Sequence, residues 1–169
     1  FFRAYDIRGK VDAGLDAHTV YTIARSIAAT ALDEGVSTVV VGRDGRLSSP
    51  ELSRGLVQGL LDSGLNVINI GLVTSPQLYF ATHVLSTKTG VMLTGSHNPK
   101  AYNGLKIVLN GKTLSEDAIQ ALYERIVAAD FVQHAVGVEE QADVQQLYRQ
   151  DISRRIQLAK PMRVVLDCG

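Results

Sequence analysis

The apolar positions of residues 16–34 recur at helical spacing. Val20, Ile23, Ala24, Ile27, Ala28, Ala31 and Leu32 share one face, and Gly35 suits the stop. The β-branched run STVVVG (37–42) reads as a buried strand. Residues 48–63 read as a second helix, with Ser49 as N-cap, Pro50 at the first helical position and Leu52, Leu56 and Leu60 as the buried stripe. Gly55 and Gly59 lie on the same face and predict close approach of this helix to a sheet. Gly64 ends the helix and NVINIG (66–71) is the next strand. SPQLYFATHVL (75–85) is a third helix that again starts with serine and proline, and GVMLTG (90–95) is a third strand.

This β-α-β-α-β alternation with short loops predicts a parallel sheet covered by helices on both faces. The next strand, NGLKIVLN (103–110), follows after about eight residues, fewer than the roughly dozen a parallel crossover needs, so it is expected to run antiparallel at the sheet edge. Asn110-Gly111 is a hairpin signal, after which Ser115 caps a helix carrying Ile119, Leu122 and Ile126. Residues 130–142 lack a pattern and read as a linker. From Asp143 to about Ala159 a further helix shows Val144, Leu147, Ile152 and Ile156 as its stripe; Pro161 interrupts it, and MRVVLDCG begins a strand with no partner. The expected fold is therefore three-layer α/β/α, with a mostly parallel four-stranded sheet whose last strand is antiparallel, followed by a linker, a helix and an orphan strand. Residues 1–142 form one domain and 143–169 open a second. An unpaired strand at 162–167 predicts either disorder or association with another chain.

Composition narrows the function classes. The 169 residues carry 17 Lys+Arg against 17 Asp+Glu, so the electrostatic footprint of a nucleic-acid binder is missing. A single cysteine excludes a disulfide framework and a Cys-based zinc cluster, and fits a reducing, cytoplasmic setting. No apolar run approaches the roughly 18–20 residues of a membrane span, and the charged start FFRAYDIRG does not read as a signal peptide. Several α/β signatures also fail. Gly111-Lys112-Thr113 resembles the end of a P-loop, but Lys106 stands where that pattern needs glycine. No G-x-G-x-x-G follows the first predicted strand, and Ser96 sits in TGSHNP rather than in an esterase elbow. His18, His83, His97 and His134 show no metal-ligand spacing.

The loop TGSHNPKAYNGLK (94–106) leaves the C-terminal end of a parallel strand, where open α/β sheets place their ligands. Gly95 lets the backbone turn close to a ligand, Pro99 stiffens the far side, and Ser96 is offered at the tip with His97 and Asn98 beside it. Lys106 returns to the same neighbourhood. A hydroxyl nucleophile beside a histidine and an ammonium suits acyl or phosphoryl transfer. The same residues are also good turn formers, and spacing alone favours the turn. A second cluster changes that balance. FRAYDIRG (2–9) and GRDGRLSSPE (42–51) set arginines and acids beside glycine, and Arg43 and Arg46 gather before a helix N-terminus, which is a natural anion site. Alternatively, Asp44 pairs with an arginine there and the group only organises a loop, while Arg8 on its own is an ordinary surface residue.

FRAYDIRG, GRDGR, TGSHNP and NGLK, in this order and spacing, resemble the N-terminal domain of the α-D-phosphohexomutases, and most closely their bacterial phosphomannomutase/phosphoglucomutase branch. The likeness runs along essentially the whole chain, and AKPMRVVLDCG resembles the start of that family's second domain. The resemblance implies that Ser96 is the catalytic serine, phosphorylated in the active enzyme. It would exchange its phosphoryl group with a hexose phosphate through a hexose 1,6-bisphosphate intermediate. It implies further that Arg8 and Lys106 are the cations facing the phosphate, that Lys106 doubles as a proton-transfer group, that Tyr5 contacts substrate and that His97 orients the serine or touches phosphate. Thr94, Gly95, Asn98, Pro99, Arg43, Asp44 and Arg46 would support the phosphate loop. Mg²⁺ would be held in part through the Ser96 phosphate, whose charge of about −1.5 to −2 needs neutralising. GLVTSP (71–76) departs from the family's usual GxVPTP, which affects a loop. The aspartate loop that binds Mg²⁺, the sugar loop and a further phosphate loop belong to later domains of the same enzyme. The expected partners are therefore those domains and the sugar phosphates, and the expected behaviour of this chain alone is no mutase turnover. Phosphoglucosamine mutase is the alternative within the superfamily. A non-catalytic phosphosugar- or anion-binding module is an alternative outside it, and a regulatory domain would instead present a large apolar patch.

Overall fold

The computed structural model describes residues 1–167. Its strands are β1 (Ile7–Lys10), β2 (Thr38–Arg43), β3 (Asn66–Leu72), β4 (Gly90–Leu93), β5 (Tyr102–Leu109), β6 (Lys112–Thr113) and β7 (Glu139–Gln141). Its helices are α1 (Ala17–Asp33), α2 (Ser49–Asp62), α3 (Ser75–Val84), α4 (Asp117–Val127) and α5 (Gln145–Arg155). One mixed sheet runs in the order β1-β5-β4-β2-β3-β7, with β6 against β5. β2 is parallel to β3 and β4, and β3 to β7, whereas β5 is antiparallel to β4, β1 and β6. β5 is therefore the single strand that runs against all the others.

The α/β/α layering and the antiparallel β5 agree with the pattern of the sequence, but the sheet is larger than expected. Seven strands form where four were expected, and β5 is not at the edge: its outer side is taken by β1 at one end and by β6 at the other. β1 escapes periodicity because Ile-Arg-Gly-Lys has no apolar alternation and is extended only through its ladder with residues 102–105. The segment read as a linker, 130–142, supplies β7, a short exposed strand that covers the β3 edge. No strand forms at 162–167. Those residues are exposed and without regular structure, since an extended segment with no neighbouring strand has nothing to complete its hydrogen bonds. The last two residues of the predicted strand, Cys168 and Gly169, lie outside the described residues. α5 is shorter than expected, and only Val144 of its stripe is buried; Leu147, Ile152 and Ile156 remain exposed.

Each face of the sheet has its own core. Ile23, Ile27, Leu52, Leu56, Leu60, Val39, Val41, Leu93, Leu105 and Ile107 pack α1 and α2 on one face, where Ile119 and Leu122 of α4 join them. Val40, Ile70, Leu78, Ala81, Met92 and Val144 pack α3 and the start of α5 on the other. β2 and β4 are buried almost throughout, as expected of interior parallel strands. Gly55 and Gly59 do serve a close approach, but to α1 rather than to the sheet. A Cβ at Gly55 would lie 2.3 Å from the Ala17 carbonyl oxygen, and one at Gly59 2.5 Å from that of Tyr21. Capping also differs in detail. Ser48 and Glu116 stand at the N-cap positions of α2 and α4 where Ser49 and Ser115 were expected, which leaves the Ser49 hydroxyl for another purpose.

Gly104 joins the sheet to the site. It pairs with Arg8, and a Cβ there would lie 2.2 Å from the Ile7 carbonyl oxygen, so the backbones of β1 and β5 meet only because the residue is glycine. Gly104→Ala is expected to push β1 outward and to destabilise the fold by about 1–3 kcal/mol. Urea unfolding checks this, and a midpoint equal to that of the parent would contradict it.

Candidate active site

The loops that follow β2, β3 and β4 emerge at one end of the sheet, because these strands run parallel. β5 descends from that same end, bringing Tyr102–Lys106 beside the residues that follow β4. The loop 94–101 leaves β4 from buried Thr94, and its tip, Ser96 and His97, is exposed. Ser96 has φ 51°, a left-handed conformation that a residue with a side chain adopts only when its surroundings hold it there.

Asp44 and Arg46, from the loop after β2, are what hold it. The Asp44 carboxylate accepts hydrogen bonds at Oδ1 from the Ser49 hydroxyl (2.5 Å) and the Arg46 amide (3.1 Å), and at Oδ2 from the Thr94 hydroxyl (2.9 Å) and the Gly95 amide (3.1 Å). The Arg46 Nε lies 3.3 Å from the same Oδ2. Thr94 Oγ1 in turn accepts the Ser96 amide at 2.8 Å. The rest of the Arg46 guanidinium faces loop carbonyls: Nη1 donates to Pro99 (2.7 Å) and Tyr102 (3.0 Å), and Nη2 to Ser96 (3.0 Å) and Asn98 (2.5 Å). Acid and base thus grip the serine loop from both sides. Partial burial pushes the Asp44 carboxyl up, but the hydrogen bonds from Ser49, the Arg46 amide, Thr94 and the Gly95 amide outweigh it. Together they hold the group below the ordinary carboxylate range.

Arg8 and Lys106 come together on the other side of Asn98. Leu105 and Ile107 face the larger core, so Lys106 and Gly104 point to the opposite face, and the β1 register places Arg8 beside Gly104. Arg8 donates to the Asn98 side chain at 3.2 Å and pairs with Asp6 at 2.5 Å, and Lys106 lies 3.7 Å from the same Asp6 oxygen. Both cations line a depression of about 620 Å³ together with Arg3, Tyr5 and Pro99. Tyr5 is 68% exposed there. Ser96 opens onto depressions on the Leu47–Lys100 and Thr74–Gln77 sides of its loop, and Asn98 is the direct link between that loop and Arg8.

The other expected residues divide. His97 Nδ1 is 3.4 Å from Ser96 Oγ, too long to fix the hydroxyl firmly. Arg46 is spent on carbonyl oxygens. Arg43 lies away from the serine loop, in a groove with α2 and β3. Two contributors were not singled out from the sequence. Asp6 sits in the bend before β1, two positions from Arg8, and no strand alternation in the sequence marks its pairing with Arg8 and Lys106. Ser49 carried only a capping signal, and its role depends on a loop-to-helix contact. Among the described residues no group of three or more His, Cys, Asp or Glu is placed to hold a metal ion. Asp44 and Asp6 are already bound by donors, so the residues present do not form a Mg²⁺ site. No helix among the described residues is long and apolar enough to cross a membrane.

Residues 1–133 match the family model described as phosphoglucomutase/phosphomannomutase, alpha/beta/alpha domain I. The chain is 54% identical over 168 residues to a phosphomannomutase/phosphoglucomutase of Pseudomonas aeruginosa, covering 99% of this chain and 36% of that protein. It is 43% identical over 169 residues to a phosphoglucomutase of Neisseria gonorrhoeae, covering 99% and 37%. A crystal structure of a phosphoglucomutase/phosphomannomutase family protein from Burkholderia thailandensis superposes with a TM-score of 0.90 at 41% identity, over 95% of this chain and 37% of that one. The chain therefore spans little more than a third of the length of these relatives.

Proposed function

Because the chain belongs to the phosphoglucomutase/phosphomannomutase family, we propose that it is the nucleophile-bearing part of an enzyme that interconverts hexose 1-phosphate and hexose 6-phosphate, with Ser96 carrying the transferred phosphoryl group. The observation that carries this reading is an exposed serine held in a left-handed conformation by the Asp44–Arg46 brace, next to a cationic depression that contains Arg8 and Lys106. A preorganised nucleophile flanked by fixed positive charge is what phosphoryl transfer requires of a protein.

In the proposed step Ser96 Oγ attacks a phosphorus of hexose 1,6-bisphosphate. The bond from that phosphorus to the sugar oxygen breaks, and the serine proton is replaced on the sugar, leaving phosphoserine and hexose monophosphate. The reverse step, at the other sugar oxygen, completes the interconversion. Arg8 and Lys106 offset the charge of the migrating group, and Lys106 hands a proton to the leaving oxygen. Asp6 shares its charge between both and sets where they point. Tyr5 meets the sugar from the rim. Mg²⁺, which the family implies, would supply further charge neutralisation, but its ligands are not among these residues and no step here depends on it. Residues 1–142 form the phosphoserine-bearing domain in this reading. Residues 143–169 begin a second one, and the exposed Met162, Val164, Val165 and Leu166 await cover by the remaining domains.

Incubating the chain with glucose 1,6-bisphosphate is expected to add one phosphoryl group, located by peptide mapping to Ser96. Glucose 1-phosphate should not be converted to glucose 6-phosphate by this chain alone. Absence of the adduct would count against Ser96 as nucleophile, whereas steady turnover would show that the later domains are not needed.

A further inference from the structure

Arg43 is a partly buried arginine that forms no ion pair within 4 Å among the described residues. Val39 and Val41 point from β2 into the core shared with α2, and Arg43, two positions on, faces the same side beyond the edge of that core. Its one side-chain hydrogen bond is a 3.4 Å contact with the carbonyl of Asp44, and it forms no ion pair among the described residues. It opens into a groove of about 400 Å³ between α2 and the outer strands, lined also by Ser53, Arg54, Gln58 and Asn69. Ser53 is only 8% exposed, yet its hydroxyl makes no hydrogen bond although it borders this groove. Arg43, Arg54 and Ser53 line one space, whereas the amide groups of Gln58 and Asn69 already donate to Asp62 (2.7 Å) and Glu139 (2.8 Å). The opposing charge is Glu139, one oxygen of which accepts from Asn69 and from Gln141, both at 2.8 Å.

We propose that this groove is a second oxyanion site, separate from the Ser96 loop, which takes a phosphate group on Arg43, Arg54 and Ser53. Arginine presents the planar fork that matches phosphate, and the Ser53 hydroxyl, which is not bonded within the protein, adds a donor. The inference does not depend on the chemistry of Ser96. The groove lies on the α2 flank of the sheet, and none of its lining residues belongs to loop 94–101.

The test is an amide-resolved NMR titration of the Ser96→Ala chain at constant ionic strength, with inorganic phosphate in one arm and glucose 6-phosphate in the other. Saturable shifts at Ser53, Arg54 and Asn69 are expected in both arms. Tighter binding in the second arm would assign the natural ligand to the phosphosugars, and equal binding would assign it to free phosphate. Arg43→Gln/Arg54→Gln should weaken these shifts at least tenfold, and shifts at Arg8 and Lys106 should persist. Arg54→Gln alone, at an exposed position, should weaken them about fivefold and covers the case in which the double variant does not fold. Glu139→Gln should tighten binding by removing the facing charge. Shifts confined to the Arg8–Lys106 depression, or groove shifts unaffected by Arg54→Gln, would overturn the proposal.

Discussion

A Ser96→Ala chain is expected to take up no phosphoryl group from glucose 1,6-bisphosphate under conditions in which the parent chain takes up one. The loss should be complete because the nucleophilic atom itself is removed, and the exposed His97 that remains lies on the outside of the loop. The structure also says why this would not reflect misfolding. The Ser96 hydroxyl makes a single 3.4 Å contact, and the loop is held through the Ser96 amide and carbonyl, which alanine keeps. Thermal stability should therefore change by less than about 0.5 kcal/mol. Intact mass spectrometry and a melting curve on the same sample check both halves. Phosphate on the alanine variant would assign the chemistry to another residue.

Asp44→Ala should produce the largest change in stability. Four donors, the hydroxyls of Ser49 and Thr94 and the amides of Arg46 and Gly95, lose their acceptor, and the half-buried Arg46 guanidinium loses its counter-charge. Breaking a charged network by removing one member costs about 3 kcal/mol or more, and for a chain of this length that lowers the melting temperature by about 6–12 °C. The loop then relaxes away from its strained geometry, and phosphoryl capture by Ser96 should slow by about 10²-fold. Asp44→Asn separates charge from shape through its response to pH. The folded carboxyl titrates below its unfolded value of about 3.9, so its contribution is fully present above that value and is lost as pH falls through the folded one. The asparagine variant should be less stable than the parent at pH 7, and the difference should shrink in acid. A gap that stays constant down to the acid limit would show that the charge of Asp44 is not what holds the loop.

A net charge of zero hides a local concentration of cations around the serine loop. Of the four cations expected around a phosphoserine, Arg8 and Lys106 do converge on one depression. Arg46 binds the loop from beneath, and Arg43 faces a different groove. In the sequence the four look alike, each an arginine or lysine within two positions of a glycine. What separates them is strand alternation at β1, β2 and β5 and the direction in which the loop after β2 folds back.

The relation between pattern and structure follows the range over which each feature is encoded. Helices α1, α2 and α3 and strands β2 to β5 were legible because their apolar period, caps and glycine stops lie within about ten to twenty residues, and two-sided burial writes itself as continuous Val and Ile runs. β1 and β7 were not legible, since each is short, polar and extended only because a distant segment offers an edge: residues 102–105 for β1 and 67–69 for β7. The same reasoning works in reverse at 162–167, where a strongly strand-like run stays irregular because no edge is available to it.

For the site, local chemistry drew notice to TGSHNP, with Ser96 at its tip and Lys106 returning nearby, because a serine after a strand end and a glycine stands out by residue type and spacing; spacing alone still favoured a turn, and Arg8 and Tyr5 were marked by the family resemblance. The tertiary structure alone decided which charges brace the loop and which face the depression beside it. Asp44 and Ser96 are 52 positions apart and Asp6 and Lys106 are 100 apart. No periodicity carries information over such distances. A hydrogen bond forms only when donor and acceptor come within about 3 Å, and here the order of strands in the sheet brings them together.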